Sequence, residues 1–214
     1  MLRTMRSARL RRGLISLLII LLLGLAGWAF TQFEPPGAKE VEASTPKVAE
    51  TPPPVDPASM YAQYIQEFNY KVFPELATLI AEGIYQVGKE FEMPPEFLLA
   101  LAQVESSFNY YAVSNADCIG LLQINPKVWI QDQENVHNLV KAGILTQTIE
   151  LYDPLINLRA GAHVFKVYYK AALKNKNPHP LKYATTRYFG GEKNAHYQKF
   201  GAALGDFLMF KLSI

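Results

Sequence analysis

From about Met60 onward, apolar positions recur at the spacing of helix faces. Tyr61, Tyr64, Ile65, Phe68 and Val72 mark one such stretch, and Pro74 opens a second with Leu76, Leu79, Ile80, Ile84 and Val87 on one side. PPEFLLALAQVE predicts a third helix, with Pro94 and Pro95 suited to its first turn and leucines and alanines filling its body. Residues 126–152 predict short helices, and Pro154 starts a long one to about Leu173. KNKNPHP is a polar breaker, after which Leu181–Tyr188 and about Asn194–Leu212 complete the set. There is no strand-like alternation and no repeat. The expected fold is mainly α, a helical bundle of about 155 residues, enough to bury a core.

The N-terminal part reads differently. Gly13 to Phe30 is an uncharged apolar run of eighteen residues preceded by Arg3, Arg6, Arg9, Arg11 and Arg12. A membrane span needs about 17–25 such residues, whereas the apolar core of a cleaved signal peptide has about 7–15. Length therefore favours a transmembrane anchor at 13–30 behind a cytoplasmic basic arm at 1–12. A signal peptide cleaved near the mediocre site Gly27-Trp28-Ala29 is the rival. The positive-inside rule then places everything after the anchor outside the cytoplasm. No cysteine lies nearby to carry a lipid. Residues 31–58 hold seven of the fourteen prolines and few large apolar side chains, which predicts a disordered, semi-extended linker. The folded domain is expected at 59–214.

Charge narrows the function classes. The net +2 comes from the arm, because residues 59–214 carry fourteen basic and fourteen acidic side chains. A nucleic-acid surface would need an excess of cations on the folded domain, so none is expected. Cys118 is the only cysteine, which rules out an intramolecular disulfide; packing is its simplest role. His137, His163, His179 and His196 show no metal-ligand spacing, so they read as surface or structural residues, and neither metal nor cofactor is expected.

The stretch ESSFNYYAVSNADCIGLLQINP, Glu105 to Pro126, carries the most chemistry. Leu98, Leu101, Ala102 and Glu105 follow the i, i+3, i+4, i+7 pattern, so the glutamate shares the core-facing side of its helix. A carboxylate taken out of water without a partner raises its pKa, and a carboxyl protonated near neutrality suits a general acid. On periodicity alone, such a glutamate is more often a partly exposed or hydrogen-bonded structural residue than a catalyst.

Four ordered motifs extend the reading. Glu105-Ser106, Phe108-Asn109, Ala112-Val113-Ser114 and Gly120-Leu121-Leu122-Gln123 match two motifs without a gap. Asp153-Pro154 with Asn157-Leu158-Arg159-Ala160-Gly161 gives a third, and Tyr188-Phe189-Gly190-Gly191 a fourth. Together they resemble the lytic transglycosylases of the soluble (SLT-domain) type, which have a lysozyme-like helical domain. That resemblance implies a peptidoglycan substrate, a periplasmic domain tethered to the bacterial inner membrane, and Glu105 as the single catalytic residue. Glu105 would protonate the bond between N-acetylmuramic acid and N-acetylglucosamine, then deprotonate the muramoyl 6-hydroxyl, leaving a 1,6-anhydro sugar. The resemblance also implies that Ser114, Gln123 and Tyr188 bind substrate while Ser106, Gly120 and Asn157 support the site. No protein partner is indicated.

Two other functions compete. A hydrolytic muramidase would need a second carboxylate, for which Asp117, in the loop expected to face the cleft, is the best candidate; Asp153 reads as a helix cap. A non-catalytic glycan-binding module would need no acid. Two departures bear on this. Leu122 replaces the usual methionine, nearly conserving volume, and Phe189 replaces the usual asparagine, removing an amide from the fourth motif.

Overall fold

The computed structural model describes residues 56–191 and 194–214. The basic arm, the expected anchor at 13–30 and most of the linker lie outside them. Among the described residues the helices are, in chain order, α1 (Pro57–Phe68), α2 (Pro74–Glu90), α3 (Pro95–Ser106), α4 (Pro154–Lys174), α5 (Pro180–Tyr188) and α6 (Asn194–Ser213). The first five each open on a proline. Proline has no N–H to leave unpaired there and its φ is already helical, so these residues act as start signals. Asp56 caps α1 by accepting from the Ala58 N–H at 3.2 Å, so the fold begins inside the expected linker. Among the described residues no strand forms; isolated bridges pair Ile119 with Val113 and with Ile124.

α3 is the centre of the core. Its residues Leu98 to Gln103 are all buried, and α2 and α6 both pack against it. The expected apolar stripe is therefore only part of the buried surface. Gln103, off that stripe, sits in the core because its side-chain oxygen accepts from the Tyr64 hydroxyl at 2.7 Å. From α6, Phe207 packs edge-on against Tyr64 and Phe200 against Phe97. Two sequence expectations are corrected: Val72 is buried in the turn after α1 rather than in a helix, and Leu79 is 51% exposed. Ala77 and Ala81 join Ile80, Ile84 and Val87 on the buried face of α2.

α3 ends abruptly. Ser107 and Phe108 both take left-handed backbone, at φ 52° and 65°. Such a conformation is costly for residues with a side chain. Full burial of the Phe108 ring, edge-on to Phe68, offsets that cost and fixes where the chain leaves the helix. Residues 126–152 are mostly irregular, with one π-helical turn (Lys127–Gln131) and one 3₁₀ turn (Thr148–Tyr152). The buried Asn138 amide holds this segment, donating to the Ile130 and Asp132 carbonyls at 2.7 and 3.0 Å.

Candidate active site

The last turn of α3 places Glu105 in the wall of a cleft of about 430 Å³. Ser114, Cys118, Gln123, Trp129, Tyr188 and His196 line it with Glu105. The Glu105 carboxyl is half-buried, and burial pushes its pKa from the ordinary 4.5 up to about 8. Among the described residues it is the only carboxyl lining the cleft. The site therefore offers one neutral acid without a carboxylate facing it.

Asn157 organises the loop opposite. Fully buried on α4, it accepts from the Leu122 N–H at 2.8 Å and donates to the Ile119 and Leu151 carbonyls at 2.9 and 2.8 Å. Its amide leaves no room for a side chain at residue 120: a Cβ on Gly120 would fall 2.1 Å from Asn157 Nδ2, and φ there is +83°. Asn157 and Gly120 are thus locked together beneath the loop that carries Gln123. Asp153 caps α4 through the Ile156 N–H at 2.9 Å.

The remaining motif residues divide by the hydrogen bonds they already make. Ser114 Oγ accepts from the Ala116 and Cys118 N–H groups at 3.3 and 3.1 Å, so it shapes the turn and keeps its own hydrogen for a ligand. A glutamine amide can offer both a donor and an acceptor. The Gln123 amide nitrogen is committed to the Ala112 and Gly120 carbonyls at 3.2 and 3.0 Å, which leaves its oxygen as an acceptor. The Tyr188 hydroxyl donates to the Leu122 carbonyl at 2.8 Å. Burial first, and the neighbouring Glu105 charge second, push its pKa well above the ordinary tyrosine value. Ser106 bonds back onto its own helix, to the Ala102 carbonyl at 3.1 Å, and does not line the cleft.

Asp117 is displaced from its expected position. It is exposed, pairs with Lys127 at 2.8 Å, and is absent from the cleft wall. The hydrogen bond and charge of Lys127 hold its carboxyl below the ordinary aspartate value. Its carboxylate thus faces Lys127 rather than the cleft that Glu105 lines.

Several wall residues escape motif reading. Trp129 comes from the π-helical turn. Val164 and Tyr168 lie three and seven residues beyond Gly161, a helical spacing that would have identified them. His196, expected to be structural, borders the cleft with its ring 5.2 Å from that of Phe189. Its Nδ1 is buried without a hydrogen-bond partner among the described residues. No group of three or more His, Cys, Asp or Glu side chains among the described residues could hold a metal ion.

Residues 83–198, which span the acid, the Asn157-organised loop and Tyr188, match the family described as Transglycosylase SLT domain. The chain belongs to that family. Similar curated proteins include the membrane-bound lytic murein transglycosylase C of Salmonella arizonae, 33% identical over 110 residues, which are 50% of this chain and 30% of the relative. The protein of that name from Klebsiella pneumoniae is 33% identical over 115 residues, with the same shares. That from Haemophilus influenzae is 36% identical over 78 residues, 36% of this chain and 21% of the relative. The matched segment thus spans less than a third of these relatives' length. Membership of the SLT family gives the cleft its frame: all four sequence motifs fall inside the matched segment, whereas α1 lies before it.

Proposed function

We propose that this chain is a peptidoglycan lytic transglycosylase, which cleaves the β-1,4 bond between N-acetylmuramic acid and N-acetylglucosamine and leaves 1,6-anhydro ends. The observation that carries the reading is a single neutral carboxyl, Glu105, in a cleft with no carboxylate opposite it among the described residues. Glycosidases that use water position it with a second acid. Here Glu105 gives its proton to the leaving 4-oxygen of N-acetylglucosamine. The substrate's acetamido group stabilises the positive charge at C1. Glu105, now a carboxylate, takes the proton of the muramoyl 6-hydroxyl as that oxygen closes onto C1. The acid is regenerated and no water is consumed. The free hydrogen of Ser114 and the free oxygen of Gln123 suit the two ends of an N-acetyl amide.

We further propose that Gly13–Phe30 anchors the chain in the bacterial inner membrane, with the linker carrying the domain, of lysozyme-like type, into the periplasm. The apolar run behind five arginines supports this, as does the term membrane-bound in the relatives' name. Among the described residues no helix is long and apolar enough to cross a membrane.

The test uses the full chain and its Glu105→Gln variant on purified peptidoglycan. Soluble muropeptides released by the native protein and not by the variant support the reading. Retained pelleting with the insoluble wall and no release by either protein would identify a binding module instead.

A further inference from the structure

Beyond the cleft, α4 presents a second feature that the proposed reaction leaves unused. A groove of about 610 Å³ runs along its outer side, lined by His137, His163, Lys166, Lys170, Lys174 and Arg187. No carboxylate among the described residues lines it. The folded part of the chain carries equal numbers of basic and acidic side chains, so this sign bias is local. Lys166 is partly neutralised: its ammonium donates to the Phe91 carbonyl at 2.7 Å and reaches Glu92 at 3.4 Å. Lys170, Lys174 and Arg187 are exposed and make no ion pair among the described residues.

The groove adjoins the catalytic cleft. Tyr168 and Arg187 line both, with the Arg187 guanidinium 5.9 Å from the Tyr168 ring centre. Lys166, Lys170 and Lys174 recur every four residues, so they form a row about 12 Å long on one side of the helix. An extended peptide advances about 3.3–3.6 Å per residue, so the row spans three to four residues of one.

We propose that this groove binds the carboxylates of the peptide stem carried by the muramoyl residue in the cleft, making the enzyme selective for stem-bearing strands. The assignment rests on the lytic reading of the Glu105 cleft. A stem leaves the sugar ring at the muramoyl lactyl group and carries free carboxylates, which Lys170, Lys174 and Arg187 attract. Recognition by exposed cations sets kcat/KM through binding and weakens as salt screens the charges.

The experiment measures kcat/KM of the full chain on two substrates: stem-bearing glycan strands, and the same strands stripped of stems by an amidase. The native protein should favour stem-bearing strands by about tenfold at low salt, a margin of the size that a few screened ion pairs supply, and by less at high salt. Lys170→Glu with Lys174→Glu should bring the ratio close to one, and Lys170→Arg with Lys174→Arg should keep it. Lys199→Glu with Lys211→Glu, on α6 outside the groove, should also keep it. Equal native rates on both substrates, or a ratio untouched by the charge reversal, would overturn the groove assignment alone. Cleavage of neither substrate by the native protein would overturn the reading of the cleft and this assignment with it.

Discussion

The Tyr188 hydroxyl donates to the Leu122 carbonyl at 2.8 Å, tying the end of α5 to the loop that carries Gln123. The bond joins residues 66 apart in sequence and spends the tyrosine's only donor. Tyr188 therefore fixes the cleft wall beside Glu105 and can only accept from a substrate. Tyr188→Phe leaves the carbonyl unpaired, at a cost of about 1–3 kcal/mol. Turnover should fall roughly 10- to 100-fold, because loosening the loop shifts groups that must hold the sugar in register. Thermal melts and initial rates of the same preparation separate the two effects.

Gly161 makes this arrangement possible. A Cβ there would fall 2.2 Å from Leu122 Cδ1 and 2.9 Å from the Tyr188 hydroxyl. Gly161→Ala should cost about 1–3 kcal/mol, as overpacking does, and lower activity by displacing both partners. Gly205→Ala on α6 meets nothing within 4 Å and should instead stabilise by about 0.5–1 kcal/mol. Parallel melting curves would show the opposite signs.

In the third motif the cap at Asp153 was legible from the residues themselves, whereas Asn157 and Gly161 were reached only through the resemblance; the buried amide and the close approach they supply depend on Leu122 packing against them. The helices were legible too, since prolines mark five of their starts. Positions fixed by packing from several sides were not. Gln103 is buried only because Tyr64 reaches across from α1 to pair with it. Trp129 and His196 reach the cleft from an irregular turn and from the last helix, and no spacing within one element connects them to Glu105. Asp117 was placed by loop position, and its pairing with Lys127 turns it outward.

Glu105 gives the account a pH dependence. With its pKa raised to about 8, the acid form dominates through neutrality, so kcat should be level there and fall tenfold per unit above about pH 8. Stability follows the same proton. Between 4.5 and about 8 the folded chain holds a proton that the unfolded chain releases, so this group's contribution is complete below 4.5 and lost as pH rises through about 8. Glu105→Gln removes that loss. The variant should therefore melt progressively higher than the native protein as pH goes from 5 to 8, by a few kcal/mol at most.

Asp117→Asn should leave turnover and products unchanged. The pair with Lys127 is exposed and screened by water, so stability should hardly move. A loss of activity beyond about tenfold, read on purified strands, would restore Asp117 as a partner of the acid.

The central claim is that Glu105 works alone and that the substrate's own hydroxyl takes the place of water. Digestion of purified peptidoglycan in ¹⁸O-enriched water, with products weighed by mass spectrometry, tests it most directly. The account predicts muropeptides one water lighter than hydrolysed ones, carrying no ¹⁸O at the new end. Full-mass reducing ends labelled with ¹⁸O would contradict it and make the protein a hydrolase.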